Sequence, residues 1–256
     1  MIPENMIRED MIPEKLTEGF LSRLLRADGP NVETVILFGS AARTGSFDTD
    51  HSNINLLCLL RATPFSALHA IAPVMEWWRQ QKQPAPIVVT RAELERSADV
   101  FSIELLDMQA THKVLYGDDA LGAISVPRYW HRAQIEYELR EKLILLRQRL
   151  FLTVSNEQHM WDLLLQSLTS FTVLMRHALM ELGATIPAGR RELLAAAATL
   201  LSFDASAFTQ LIDIRESKLE SRALDVKDVA SRYLAAVERM TAAVDTMLES
   251  TGPGGS

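Results

Sequence analysis

Two short segments of this chain carry residue types whose spacing suits phosphate chemistry: Gly39-Ser40-Ala41-Ala42-Arg43 and Ser52-Asn53-Ile54-Asn55. A glycine such as Gly39 lets backbone approach a phosphate closely, and a following hydroxyl and helix-start amides donate to its oxygens. Ser40 reads as such a phosphate contact, with a plain helix N-cap as the alternative. Arg43 either neutralises phosphate charge or stands as a solvated helix arginine. In an extended strand, side chains two apart point to one face, so Asn53 and Asn55 should project side by side. Two acids so placed hold Mg²⁺ together, whereas two amides offer carbonyl oxygens without charge. At an effective dielectric near 20, one unit charge about 4 Å from a cation contributes on the order of 4 kcal/mol per unit of cation charge. Two amides therefore make a poor metal site.

Other side chains invite a chemical reading beside a plainer one. Asp48 and Asp50, with His51, lie just before the second segment, where a loop rearrangement would bring an acid to a metal position. The plainer reading is a pair of solvated, turn-favouring acids. Glu104 and Asp107 share a helical face and with His112 form either a metal site or a polar surface. A nucleophilic role for Ser40 lacks both the Gly-x-Ser-x-Gly context and a base placed by sequence. Arg215 lies on an apolar stripe with Leu211, Ile212 and Leu219, which calls for a carboxylate partner or a ligand phosphate. Cys58, inside an apolar run, reads as core.

Elements able to hold these residues are legible around them. Leu16, Phe20, Leu21, Leu24 and Leu25 fall on one helical face, ended by Gly29-Pro30. Val32 to Phe38, Asn53 to Leu60 and Ile87 to Thr90 are strand-like, and Pro64 to Gln81 is helical with Leu68, Ile71, Val74, Met75 and Trp78 inward. Past Pro127 the strand signals stop. Ile135, Leu139, Leu143, Leu146 and Leu150 form one stripe, and Trp161, Leu164, Leu165, Leu168, Phe171, Met175 and Leu179 form another. The expected division is an N-terminal helical segment at 1–30, a first domain at 31–125, a helical bundle at 126–250 and a frayed tail at 251–256.

Composition narrows the function classes. With 48% hydrophobic and 23% charged residues over 256 positions, the chain has the make-up of a globular protein. A net charge of −7 disfavours large nucleic acids, whose phosphates need Lys and Arg. The one cysteine allows no internal disulfide, and neither a secretory leader nor a membrane-length apolar run is present, which suits the cytoplasm.

The order Leu37-Phe38-Gly39-Ser40-Ala41-Ala42-Arg43, then Ser52-Asn53-Ile54-Asn55-Leu56-Leu57, resembles the DNA-polymerase-β-like nucleotidyltransferase superfamily. In its small bacterial members the first strand ends in Gly-Ser and the second opens with Asp-x-Asp. Ser97 to Asp119, with Asp99-Val100-Phe101, Glu104, Asp107, His112 and Val114-Leu115-Tyr116-Gly117-Asp118, resembles the segment that closes that domain. The resemblance implies an α/β (α+β) fold, a small mixed sheet flanked by helices and followed by an all-α bundle. It also implies Mg²⁺ and an NTP if the protein is active. Here Asn53 and Asn55 occupy the positions of the metal-binding aspartates, and Ala85-Pro86-Ile87-Val88-Val89-Thr90 holds no third acid. The expectation is a catalytically degenerate pseudoenzyme that still binds a nucleotide, or a protein partner or second copy through the helical domain. The alternatives are an active Mg²⁺-dependent nucleotidyltransferase acting on a small hydroxyl compound or protein side chain, and an antitoxin-like binding module. The helical half lacks the Arg-x4–6-His pattern of the ribonucleases that such domains accompany: Arg149 and His159 are too far apart, and Arg176 adjoins His177.

Overall fold

A computed structural model describes residues 4–42 and 53–250, with side chains over 14–42 and 53–246. The chain divides into two compact units, Met1–Pro127 and Arg128–Ser256. The first contains α1 (Glu4–Asp28), β1 (Val32–Phe38), β2 (Asn55–Leu60), α2 (Phe65–Gln80), β3 (Ile87–Thr90), α3 (Arg91–Arg96), α4 (Ser102–Ala110) and β4 (His112–Tyr116). Its four-stranded sheet has the order β3-β2-β1-β4. β1 is antiparallel to both neighbours and β2 is parallel to β3, so the sheet is mixed.

The two central strands are apolar on both faces because both faces are covered. Val35 and Leu37 of β1, with Ile54, Leu56, Cys58 and Leu60 at β2, pack against Phe20 and Leu24 of α1 and Ile71, Val74 and Trp78 of α2. Ile36, Leu57 and Leu59 point the other way, against Leu94 of α3, Leu105 of α4 and Leu121. The Trp78 indole N–H donates to the Pro84 carbonyl at 2.9 Å, which satisfies its one polar atom in the core. A capping box joins β3 to α3: the Glu93 N–H donates to Thr90 Oγ1, and Thr90 N–H donates to the Glu93 carboxylate.

β4 is an element that periodicity did not reveal. It is an edge strand, and its five residues alternate too little, with Lys113 exposed and Val114 and Leu115 only half-buried. Its end is fixed sterically. Gly117 has φ +79, and a Cβ there would stand 2.2 Å from the Glu33 carbonyl oxygen, so no other residue fits.

The second unit is all helix among the described residues, apart from short turns: α5 (Arg128–Thr153), α6 (Glu157–Glu181), α7 (Arg190–Leu201), α8 (Ser206–Arg215) and α9 (Val226–Ser250). Ile135, Leu139, Leu143 and Leu146 of α5 are buried, as are Leu164, Leu168, Phe171 and Met175 of α6 and Tyr233, Val237 and Met240 of α9. No helix among the described residues is long and apolar enough to cross a membrane. Arg215 does not find the expected carboxylate. It donates to Thr169 Oγ1 at 2.9 Å and Leu165 O at 3.4 Å, both on α6. Because Arg215 is exposed, water hydrates the rest of its guanidinium, and a hydroxyl and a carbonyl suffice.

Candidate functional site

β1 ends at Phe38, which pairs with Asn55 on one side and His112 on the other. The chain then turns through Gly39 at φ +79, whose N–H donates to the Thr111 carbonyl at 3.0 Å. Ser40–Ala42 is a 3-10 turn, closed by the Ala42 N–H donating to the Gly39 carbonyl at 3.0 Å. In the described residues this turn stands where a short helix was expected. The Gly39 amide is engaged by the sheet, so Gly39 offers room for close approach and not a donor, and Ser40 lies exposed at the start of the turn. Arg43, Asp48, Asp50 and His51 lie outside the described residues.

At β2 the alternation is sharp. Asn53 is exposed, Ile54 is fully buried and Asn55 is half-buried. The Ile54 N–H donates to Gln83 Oε1 at 2.8 Å, which holds the entry to the strand in place. Ile54 faces the α1 and α2 core, so Asn55, the first residue of β2, faces the other side, in line with Leu57 and Leu59, while Asn53 lies just before the strand. A Cβ built on Gly39 would lie 3.3 Å from Asn55 Nδ2, so the Asn55 amide rests against the turn that follows β1. Neither asparagine amide has a hydrogen-bond partner among the described residues.

On the adjoining strand, Ile87 pairs with Leu57 and so shares the face of Asn55. Its side chain is 40% exposed, and with no acid between Ala85 and Thr90 this strand adds no carboxylate to that face. The donor set is therefore two neutral amides beside an aliphatic group. Mg²⁺ takes hard oxygen ligands and usually at least one carboxylate. These residues do not fit it, and the described residues contain no group of three or more His, Cys, Asp or Glu able to hold a metal.

The remaining candidates resolve into packing and local pairing. His112 is no ligand, because Nδ1 meets the Gln109 carbonyl at 3.0 Å and Nε2 the Asp119 carboxylate at 3.0 Å. The Gly122 N–H and then His112 hold the Asp119 carboxyl below its ordinary range. Glu104 is exposed on α4 and Asp107 is half-buried there, and with His112 they form no metal group. Cys58 is fully buried, and burial pushes its thiol up to about 12, as suits a core residue.

Three features escaped sequence reasoning. Gln83, the anchor of Ile54, carries no local pattern. Asp118 accepts from Thr34 Oγ1 at 3.0 Å and from Arg91 at 2.8 Å, and this pairing closes the far end of the sheet. The Arg91 and Thr34 hydrogen bonds hold the Asp118 carboxyl below its ordinary value. In the second unit, His131 is buried between Glu181, at 2.6 Å, and His177, at 2.9 Å, and Arg132 donates to Glu181 at 2.8 Å. Burial pulls His131 below the usual imidazole range despite its carboxylate neighbour. The i, i+4 spacing of His177 and Glu181 on an otherwise apolar stripe was the available signal.

No family model matches the chain, and no curated protein sequence matches it. Among solved structures, the fold is similar to spectinomycin adenyltransferase AAD(9) from Enterococcus faecialis, whose structure was determined with ATP and spectinomycin. The TM-score is 0.53 at 13% identity, over 89% of this chain and 97% of that one. Both chains thus share a fold in which a sheet flanked by helices is joined to a helical region. At this identity the likeness is one of fold alone.

Proposed function

We propose that the chain is a nucleotidyltransferase-superfamily protein that binds a nucleotide and has lost the transfer reaction. One observation carries the proposal: in a nucleotidyltransferase fold, the face that should hold the metal presents Asn53, Asn55 and Ile87. In-line transfer of a nucleoside monophosphate needs metal charge on the reacting phosphate and a means of activating the acceptor hydroxyl. Neither comes from two amides and a hydrocarbon. Gly39, Ser40 and Arg43 are the residues we assign to the nucleotide. The test is incubation with each α-labelled NTP, Mg²⁺ or Mn²⁺ and a panel of aminocyclitols, beside a thermal-shift screen of the same nucleotides. Nucleotide-dependent stabilisation without label transfer is the expected outcome. Label transfer to any acceptor overturns it.

A second reading is favoured by the likeness to an adenyltransferase over nearly the whole of both chains. It is transfer of a nucleoside monophosphate to a small hydroxyl compound, with Asp48 or Asp50 supplying the missing charge. It predicts label transfer that disappears in Asp48→Ala or Asp50→Ala.

An antitoxin-like role or a second copy of the chain draws support from α5, where Tyr137, Ile144 and Phe151 recur every seven residues and are 62%, 53% and 80% exposed. Sedimentation at micromolar concentration tests self-association. A cytoplasmic location accords with the buried, unpaired Cys58.

A further inference from the structure

We infer that this site takes the polyphosphate of its ligand directly on the Asn53 and Asn55 amides, without a metal ion. The inference rests on the nucleotide-binding reading above and concerns how the same site works.

A carboxylate pair and an amide pair of the same shape have opposite relations to phosphate. Two aspartates repel a polyphosphate and hold it only through a cation placed between them. Two asparagines carry no charge, and each offers two N–H donors. Three observations point those donors at a ligand. Asn55 opens β2 on the face opposite Ile54, which is fully buried in the other core, and Asn53 lies exposed just before the strand. Asn55 Nδ2 lies against the Gly39 turn, 3.3 Å from where a Cβ would be, so a phosphate approaching that turn meets an amide nitrogen. Neither amide is hydrogen-bonded within the described residues, so these donors are open to an incoming acceptor. Ile87 on the neighbouring strand adds no charge of either sign. Mg²⁺ bound to the polyphosphate would occupy the oxygens that these amides reach, so the metal competes with the site and does not complete it.

The experiment is calorimetry of the full chain with ATP, inorganic tripolyphosphate and adenosine, each in EDTA and again with millimolar Mg²⁺. The expected result is binding of ATP and tripolyphosphate in EDTA, no gain on adding Mg²⁺, and weak or absent binding of adenosine. Asn53→Asp, at an exposed position, and Asn55→Asp should each weaken ATP binding in EDTA roughly tenfold or more, because an amide donor becomes a repelling carboxylate. A melting curve for each variant establishes that it is folded.

ATP binding that requires Mg²⁺ overturns the inference and leaves nucleotide binding standing. Binding of adenosine without tripolyphosphate overturns it in the same way. Aspartate variants that bind ATP in EDTA as tightly as the parent chain also overturn it. No response to any of the three ligands under either condition overturns both the inference and the nucleotide-binding reading.

Discussion

The sheet of the first unit is flanked by two left-handed glycines, Gly39 and Gly117, both at φ +79, and the chemistry around them is opposite. At Gly117, Arg91 reaches Asp118 at 2.8 Å and Glu33 at 3.2 Å, and Thr34 adds a hydroxyl, so that every charge has a partner. At Gly39 the nearest side chain is that of Asn55, and no ion pair among the described residues reaches Asn55 or Asn53. An acid that also closes a turn through several hydrogen bonds, as Asp118 does with Arg91 and Thr34, is lost at some cost to the fold. An acid that serves only a metal can become an amide with little cost to folding. Among the described residues of this sheet, the Arg91–Asp118 pair closes the fold at one end, and Asn53 and Asn55 bring no charge at the other.

Substituting the two glycines should separate these ends most clearly. In Gly117→Ala the new methyl meets the Glu33 carbonyl oxygen at 2.2 Å, and backbone cannot move aside cheaply. We expect a loss of more than about 3 kcal/mol, or failure to fold, from the clash and the left-handed strain together. In Gly39→Ala the nearest atom is the end of the Asn55 side chain at 3.3 Å, which can shift. Only the left-handed penalty remains, about 1–2 kcal/mol. Urea denaturation of both variants measures the contrast. Equal losses would mean that the Gly39 end is as structurally committed as the other. Gly39→Ala should also blunt the nucleotide response, whereas any folded form of Gly117→Ala should keep it.

The charged end can be tested by pH. The folded pKa of Asp118 lies below its ordinary value of 3.8. Its contribution is therefore complete above that value and is lost as the pH falls through the lowered one. Asp118→Asn should melt at a lower temperature than the parent at neutral pH. The gap should narrow in strong acid and with added salt, because Asp118 is 67% exposed and well screened. A gap independent of pH would mean that Thr34 and the backbone, not Arg91, hold this end.

Much of this division was legible in the chain. The strand segments at Val32–Phe38 and Ile87–Thr90 show in their β-branched composition, whereas the second strand, expected from Asn53, begins at Asn55. What stayed hidden was contact between residues far apart in sequence. Thr34 and Asp118 are separated by 84 positions, and His131 and Glu181 by 50, so no local pattern announces either pair. The Gly117 clash belongs to the same class, because it exists only once β4 lies beside β1. Arg215 failed for a different reason. Its spacing from Leu211 and Ile212 suggests an apolar stripe, but it is the last residue of its helix and exposed, and exposure, which decides whether a charged partner is needed, is a tertiary property.

The smallest expected effect is the stability change in Asn53→Ala, and its smallness is the point. Asn53 is exposed, lies just before β2 and makes no hydrogen bond among the described residues, so truncation removes no fold contact. Surface changes of this kind stay within about 0.5 kcal/mol. Asn55→Ala should cost little more, because its amide is unpaired and only half-buried, and alanine at a strand's first residue loses mainly packing. If nucleotide binding falls in both variants while their melting temperatures stay near the parent's, the two amides are present for a ligand. A drop in melting temperature as large as that of Gly39→Ala, with ATP affinity unchanged, would instead make them part of the fold, and the contrast between the two ends of the sheet would disappear.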